Sequence, residues 1–252
     1  MNAPDVDRER RFGGIARLYG EAGAMRLAGA HVVVVGVGGV GSWAAEALAR
    51  SGVGELTLID LDHVAESNVN RQIQALGSTL GMAKVDALAQ RIADINPACR
   101  VHAVEEFVDA DNADALLPAH ADAVLDCCDQ VRAKAALAAL ALRRGVPVVL
   151  CGAAGGKRQA QRVDVLDLAD VRDDPLLAKL RYRMRRSYGA PRSGPMGLRC
   201  VCSRETVQRS ATASCDAAPQ GLSCAGYGSS VMVTATFGMV AAGLAVEALL
   251  GA

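Results

Sequence analysis

Short apolar runs alternate with longer amphipathic stretches along the first two thirds of the chain. Runs of aliphatic and β-branched residues predict buried β-strands at residues 31–36, 55–60, 100–104, 122–126, 146–151 and 161–166. Helical spacing predicts α-helices over 1–30, 40–51 and 131–144, with two more helical stretches between the second and third strands. Because strands that alternate with helices form βαβ units, the pattern predicts an α/β fold with a Rossmann-like, doubly wound, largely parallel sheet.

The pattern changes after Asp174, where the chain becomes strongly basic. Residues 175–209 contain nine basic residues and a single acid, Glu205, so the local charge is +8. Glycine and proline are frequent in residues 187–197, which predicts a loop. A basic segment of this kind favours contact with nucleic acid, and the alternative is a solvated charged helix.

An apolar stretch lies near the C-terminus, at residues 231–246, and its length approaches that of a bilayer span. Threonine and glycine dilute its apolarity, so we favour a buried core helix, with membrane contact as the alternative. The polar N-terminus has no apolar core of a secretory signal, which predicts a cytoplasmic location, with peripheral membrane association left open. We expect a single domain over 1–252, with a nucleotide-binding core (1–174) and a C-terminal extension (175–252) that holds a basic loop and a strand and helix segment.

Composition and charge exclude two classes of protein. Hydrophobic residues make up 51% of the chain and charged residues 21%, which is enough apolar material for a core and excludes a disordered chain. The 27 Lys and Arg residues balance 27 Asp and Glu residues, so the protein as a whole has no basic coat for nucleic acid. A local basic patch stays compatible with this balance.

The eight cysteines are expected to be reduced, since a cytoplasmic protein rarely forms disulfides. Four of them, Cys200, Cys202, Cys215 and Cys224, lack the paired Cys-x-x-Cys spacing that is typical of structural zinc. Zinc is therefore not expected, and a catalytic cysteine stays the less favoured alternative.

A glycine-rich turn between the first strand and its helix predicts a nucleotide site. Gly36, Gly38, Gly39 and Gly41 permit a tight turn, and the helix that follows offers free N–H groups and a partial positive charge to phosphates. Asp60 ends the second strand, where a carboxylate can accept hydrogen bonds from ribose hydroxyls. The alternative is a glycine turn that serves packing alone.

Cations and a carboxylate beyond this turn favour a reacting triphosphate over NAD. Arg71 and Lys84 are placed to neutralise phosphate charge that changes during a reaction, with ordinary surface exposure as the alternative. Asp129 follows the fourth strand and is the candidate Mg²⁺ ligand, or else an N-cap for the next helix. Asp126, at the end of the fourth strand, is expected to cap or orient the loop that carries Asp129.

The spacing of these residues resembles the ubiquitin-activating-enzyme superfamily of adenylating enzymes over residues 11 to about 150. The resemblance implies binding of ATP with Mg²⁺ on Asp129 and adenylation of a carboxylate. The ATP-binding residues that it implies are Gly36, Gly38, Gly39, Gly41, Asp60, Asp62, Asn68, Asn70, Arg71, Gln72, Lys84 and Asp129. It also implies a homodimer in which Arg17 acts across the subunit interface, so that Arg17, Arg71, Lys84 and Asp129 form the catalytic set.

The C-terminal third is similar to one family within this superfamily, the tRNA threonylcarbamoyladenosine dehydratases. Residues 173–181, 200–205, 223–228 and 231–238 carry this resemblance. It implies ATP-dependent cyclising dehydration of the threonylcarbamoyl group on the adenosine beside the tRNA anticodon. Because the attacking nitrogen belongs to the same modified base, ring closure is intramolecular and needs no enzyme thiol.

Three other functions stay open from the sequence. The first is adenylation of the C-terminus of a small sulfur-carrier protein, which shares the ATP site and usually needs zinc or a working thiol. The second is a non-catalytic, nucleotide-binding partner of a sulfur-mobilising system, and a sulfur acceptor or cysteine desulfurase is then a possible partner. The third and least favoured is an NAD-dependent oxidoreductase.

Overall fold

The protein folds around one sheet of seven strands in the computed structural model, which describes residues 7–208 and 227–251. The strands are β1 (His31–Val35), β2 (Glu55–Ile59), β3 (Arg100–Val104), β4 (Ala123–Asp126), β5 (Val148–Cys151), β6 (Val163–Asp167) and β7 (Arg199–Ser203). Their order is β3-β2-β1-β4-β5-β7-β6, and all neighbours are parallel except β6 and β7. The predicted doubly wound, largely parallel α/β fold is confirmed.

Both faces of the sheet are covered by helices. These are α1 (Arg8–Gly29), α2 (Gly41–Arg50), α3 (Lys84–Ile95), α4 (Ala113–Leu116), α5 (Val131–Arg144), α6 (Pro175–Ser187) and α7 (Val231–Leu250). Side chains of β1 alternate between the two layers: Val32 and Val34 join the core with α2, α3 and α7, whereas Val33 and Val35 join the core with α5 and α6. A strand that is buried on both faces needs apolar side chains at every position, which explains its unbroken run of valines.

Only one α-helix forms between β2 and β3, so the prediction of two helical stretches there was wrong. Two short 3-10 turns, Glu66–Asn68 and Gly77–Thr79, take the place of the first stretch. The side-chain Oδ1 of Asn68 accepts a hydrogen bond from the backbone N–H of Ala65 at 3.1 Å. Asparagine and threonine side chains that bind nearby backbone compete with helix formation, and turns are the result.

The start of the basic segment forms the helix α6. Asp174 caps α6 by accepting hydrogen bonds from the N–H groups of Leu176 and Leu177, both at 3.0 Å, and Pro175 occupies the first turn. The buried side chains of α6 recur at helical spacing and face α5. Lys179 and Arg186 are exposed on the outer side, whereas Arg181 is half-buried and donates to the carbonyl oxygens of Leu168 and Val171. The loop begins after Ser187.

The apolar stretch near the C-terminus forms α7, which packs against α2, β4 and β5. By length and composition alone α7 is long and apolar enough to cross a membrane, yet 56% of its apolar 18-residue stretch is buried inside the protein. A Cβ at Gly238 would overlap the carbonyl oxygen of Val40 and lie 2.9 Å from the backbone nitrogen of Ala44. Glycine therefore allows α7 to approach the first turn of α2 closely.

We expect Gly238→Ala to lower the free energy of unfolding by about 1–3 kcal/mol, because the added methyl group meets backbone that cannot move aside without distorting the nucleotide-side turn. Gly243→Ala is the matched control, since a Cβ there meets nothing within 4 Å and the residue lies in the same helix. Urea denaturation should show that the control variant is stabilised by about 0.5–1 kcal/mol. Equal effects of the two substitutions would contradict this account of the α2–α7 contact.

Candidate active site

The candidate site is a cleft of about 510 Å³ at the carboxyl ends of the parallel strands. It opens where β1 lies between β2 and β4, so that the chain winds away from β1 in opposite directions. Ligands of doubly wound sheets bind at such a switch point. The cleft is lined by the turn after β1, by residues 59–62 after β2 and by residues 127–130 after β4.

The glycine turn is packed against the loop that follows β4. Gly36 has a φ of +81°, which favours glycine, and a Cβ there would lie 2.9 Å from the backbone nitrogen of Cys128. Gly38 and Gly39 line the cleft. Gly41 does not, because it is buried at the start of α2 and a Cβ there would overlap the carbonyl oxygen of Gly36. Gly41 therefore shapes the turn that presents the other glycines.

Asp60 is built into this turn by two backbone hydrogen bonds. Its Oδ2 accepts from the N–H of Val37 at 2.8 Å, and its Oδ1 accepts from the N–H of Asp62 at 2.9 Å. Burial raises the pKa of Asp60, while the charge of Lys84 acts in the opposite direction. The carboxylate is thus fixed at the floor of the cleft, with lone pairs left for a polyol.

Two cations are held at one side of the cleft. Lys84 is only 5% exposed, and its Nζ lies 2.6 Å from Oδ2 of the exposed Asp62. Arg71 donates from Nη1 to the carbonyl oxygen of Ser67 at 2.7 Å and to Oδ1 of Asn70 at 2.9 Å. Burial lowers the pKa of Arg71. An anion in the cleft would meet both charges in a partly desolvated setting, where electrostatic attraction is strong.

The backbone of Arg71 is fixed by side chains from two helices. Trp43 of α2 donates from Nε1 to the carbonyl oxygen of Arg71 at 3.0 Å, and Thr234 at the start of α7 lines the cleft beside it. Packing of α7 on α2 thereby supports the position of the guanidinium. This link between the C-terminal helix and the phosphate side of the cleft could not be predicted from sequence spacing.

The remaining predicted residues of the 67–72 segment divide into two groups. Asn68 and Gln72 are buried and line the cleft. Asn70 does not line it, and its Nδ2 donates to the carbonyl oxygen of Ser229 at 2.9 Å. Asn70 therefore connects Arg71 to the residues that precede α7.

Asp129 and Asp126 have different environments despite their similar positions after β4. Asp129 is half-buried and lines the cleft, and the N-cap position of α5 is held by Gln130. Asp126 is fully buried, and its Oδ1 lies 3.0 Å from Nζ of Lys134 and accepts from the N–H of Cys128 at 3.2 Å. Asp126 thus orients the loop, as predicted, and Asp129 is the carboxylate that faces a ligand.

A divalent cation such as Mg²⁺ fits the donors at this place in the cleft. Mg²⁺ prefers carboxylate oxygens together with phosphate and water. Asp129 offers a carboxylate on the cleft wall, whereas Asp126 is fully buried, does not line the cleft and binds Lys134 through Oδ1. Asp129 is therefore the residue that would hold Mg²⁺.

Arg17 lies outside the cleft of its own chain. It is exposed on α1, three residues before the point at which Gly20 (φ +76°) breaks the helix. Leu18 and Met25 on the same helix are 70% and 73% exposed. Within a single chain, Arg17 therefore does not contribute to the cleft.

Several cleft residues were not predicted from the sequence. Residues 106–108 after β3 and 152–155 after β5 line the cleft, as do Tyr227 and Thr234. The first two sets follow parallel strands, so the rule that ligands bind at carboxyl ends of strands was a usable signal. Tyr227 and Thr234 carried no such signal, because they reach the cleft only through the packing of α7.

Among the described cysteines, Cys151, Cys200 and Cys202 are buried, whereas Cys127 and Cys128 are half-buried and line the cleft. Cys128 and Cys200 have pKa values raised well above the usual value, mainly by burial. The pKa of Cys127 is raised by its hydrogen bond with Cys151 (Sγ to Sγ 3.7 Å) and by burial. Burial also raises the pKa of Cys202 to about 12. Such thiols are poor nucleophiles near neutral pH. Cys215 and Cys224 lie outside the described residues.

Comparison with known proteins gives relatives that match along almost the whole chain. The tRNA threonylcarbamoyladenosine dehydratase of Escherichia coli is 46% identical over 96% of this chain and 94% of its own length. The enzyme of the same name from Haemophilus influenzae is 39% identical, with the same coverage of both chains. The resemblance to these dehydratases that the sequence indicated is confirmed.

A solved structure and a family match agree with these relatives. The crystal structure of the Escherichia coli tRNA N6-threonylcarbamoyladenosine dehydratase in complex with ATP superimposes with a TM-score of 0.89 at 44% identity, and the match covers 99% of this chain and 98% of that one. The ThiF family matches residues 13–252. The chain therefore belongs to the ThiF family.

Proposed function

We propose that this protein is an ATP-dependent enzyme that dehydrates and cyclises threonylcarbamoyladenosine in tRNA. The observation that carries the proposal is the single cleft in which a glycine turn and Asp60 lie beside the cations Arg71 and Lys84 and the carboxylate Asp129. The relatives that match nearly the full chain bear the name of this activity, and one of them is solved with ATP.

The cleft supplies complementary contacts for each part of ATP. Gly38 and Gly39 let backbone N–H groups approach the phosphates at the start of α2, where the helix dipole favours negative charge. Asp60 accepts hydrogen bonds from the ribose hydroxyls. Phe107 and Val108, which follow β3, offer an apolar wall for the base.

The first chemical step joins the substrate carboxylate to the α-phosphorus of ATP. A carboxylate oxygen of the threonyl group attacks that phosphorus, the bond to the bridging oxygen of the β-phosphate breaks, and pyrophosphate leaves with the electron pair. Negative charge shifts towards the leaving group during this step, so Arg71 and Lys84 stabilise the transition state more than the ground state. The buried setting of Lys84 strengthens this effect. Asp129 would hold Mg²⁺, which would neutralise further phosphate charge.

The second step closes the ring. A nitrogen of the same threonylcarbamoyl base attacks the activated acyl carbon, its proton is lost, and AMP departs with the former carboxylate oxygen. The substrate has then lost the elements of water. Tethering of the nucleophile contributes effective molarity worth roughly 7–11 kcal/mol, so no enzyme thiol is required. The raised pKa values of Cys127, Cys128, Cys200 and Cys202 agree with such a route.

The outer face of α6 is the surface that we assign to the tRNA backbone. Lys179, Tyr182 and Arg186 are exposed and fall on one side of the helix, at spacings of three and four residues. Leu176, in the first turn of the same helix, lines the cleft. Because α6 begins beside the cleft, its exposed cations are well placed to bind phosphates of a tRNA whose modified base enters the cleft. The ring of Tyr182 offers a plane on which a base can stack.

We also infer a homodimer in which α1 delivers Arg17 to the cleft of the partner chain. Arg17 is exposed and lies away from its own cleft, and the large apolar side chains Leu18, Tyr19 and Met25 are exposed on the same helix. Exposed apolar side chains on α1 support an interface at this helix. A second copy would bury it and complete the set of cations.

Incubation with MgATP and tRNA that carries threonylcarbamoyladenosine tests the function directly. We expect the modified nucleoside to lose the mass of one water in an ATP-dependent manner. Lys84→Met should lower the rate by about 10²–10³, because a charge that stabilises the transition state is removed while the size of the side chain is kept. Mass spectrometry of the digested tRNA measures both results.

Arg143→Met is the control, since Arg143 is exposed at the far end of α5, and it should keep the wild-type rate. An unchanged nucleoside mass with folded protein that binds ATP would overturn the proposed function.

The Lys84→Met variant also tests the homodimer. Mixed with Arg17→Ala chains, it should restore part of the activity, since one of the two clefts in each mixed dimer is intact.

Replacement of Lys179 and Arg186 by glutamine should weaken tRNA binding and reduce its salt dependence, because fewer counterions are released when fewer phosphates are neutralised. We expect the slope of log affinity against log salt to decrease by about 1 for each cation removed. Filter binding at several salt concentrations measures the slope, with Arg143→Gln as the control. A slope that is the same as for wild type would show that tRNA lies elsewhere.

A further inference from the structure

Three of the four histidines converge on one glutamate at the end of the sheet opposite the cleft. His31 begins β1, Glu55 begins β2, His102 lies within β3 and His120 shortly precedes β4. Because these strands are parallel, their first residues lie at the amino edge of the sheet, away from the nucleotide site. The adenylation chemistry uses none of the four residues.

The donor atoms of this cluster surround a common point. Nδ1 of His31 and Nε2 of His120 lie 3.9 Å and 3.8 Å from Oε1 of Glu55. The donor atoms of the three residues all lie within 4.8 Å of one another. A tetrahedral ion with bonds of about 2.0–2.2 Å needs ligand atoms roughly 3.3–3.6 Å apart, so the exposed side chain of His120 has to move inward when the ion binds.

His31 presents an unused nitrogen to this point. Its ring is 3% exposed, and Nε2 lies 2.8 Å from Oγ1 of Thr57. Nδ1 is buried and has no hydrogen-bond partner. When Nε2–H donates to Thr57, the lone pair of Nδ1 faces Glu55 and His120. Burial lowers the pKa of His31, which favours the neutral ring that binds metals.

Glu55 is held as a carboxylate by two neighbours. Arg100 donates from Nη2 to Oε2, and Nε2 of His102 lies 2.8 Å from Oε1. The hydrogen bond from Arg100 is the main reason why the pKa of Glu55 is lowered to about 2. Its side chain is nine-tenths buried. His102 and Arg100 thus position Glu55 in the way that outer partners orient metal-bound carboxylates.

We propose that His31, Glu55 and His120 form a binding site for Zn²⁺. Two imidazoles and one carboxylate suit zinc and the neighbouring divalent transition metals, whereas Mg²⁺ prefers oxygen donors. The absence of paired cysteines therefore does not exclude zinc from this chain. The ion would tie β1 and β2 to the segment before β4, and the exposed side of His120 leaves a fourth position open to solvent. Because the site is remote from the cleft, the ion would take no part in the adenylation chemistry.

Titration of the metal-free, full-length protein with Zn²⁺ tests the site. His120→Ala removes an exposed ligand and should reduce the affinity by more than 100-fold, whereas His102→Ala should cost about 10–100-fold as expected for a positioning residue. His63→Ala is the control, since this fourth histidine is exposed beside Glu105 and should leave the affinity unchanged. Isothermal titration calorimetry measures all three.

Co²⁺ reports which atoms bind the ion. We expect the visible absorption bands of four-coordinate Co²⁺ without the near-ultraviolet charge-transfer band of a cobalt thiolate. Loss of the visible bands in His120→Ala, with retention in His63→Ala, would support the proposal. A strong thiolate band, Zn²⁺ affinity that His120→Ala does not change, or the absence of binding would overturn it. None of these results depends on the proposed tRNA activity.

Discussion

The buried ion pair between Asp126 and Lys134 is the constraint on which the nucleotide site depends. Both side chains are completely buried, with Nζ of Lys134 3.0 Å from Oδ1 of Asp126 and also 3.0 Å from the carbonyl oxygen of that residue. Burial acts to lower the pKa of Lys134, but the Asp126 carboxylate and the other neighbouring groups together have the larger effect, so the pKa of Lys134 is raised. Loss of one partner from a buried pair costs about 3–5 kcal/mol, so the turn after β4 is held firmly. Gly36 packs on this turn at Cys128, and Asp129 extends from it into the cleft.

Features set by local chemistry could be predicted from the sequence. The valines of β1 predicted a strand buried on both faces, because alternate residues enter different layers of the core. Asp60 was predicted from its place at the end of β2, and its carboxylate does lie in the cleft. Asp129 was predicted by the same rule, that carboxyl ends of parallel strands meet at the switch point, and it lines the cleft. The rule also applies to Phe107, which follows β3 and was not included in the prediction.

Features set by packing between distant parts of the chain could not be predicted. Gly41 and Asn70 belong to the motif, yet their contacts are with the turn backbone and with Ser229, so they support the cleft without lining it. Thr234 reaches the cleft only because α7 lies close on α2. The histidine cluster at the other edge of the sheet was equally hidden, since residues 31 and 120 are far apart in sequence and meet only once β1 and β4 are paired.

The central claim is that the substrate carboxylate attacks the α-phosphorus of ATP in the cleft formed by Lys84, Arg71 and Asp129. The most direct measurement uses threonylcarbamoylated tRNA whose threonyl carboxylate carries heavy oxygen. After a single turnover, mass spectrometry of the nucleotide products should find one heavy oxygen in the phosphate of AMP. Heavy oxygen in inorganic phosphate formed with ADP would show that the γ-phosphorus is attacked, and AMP without the label would show that the carboxylate is never adenylated. Either result would contradict the account.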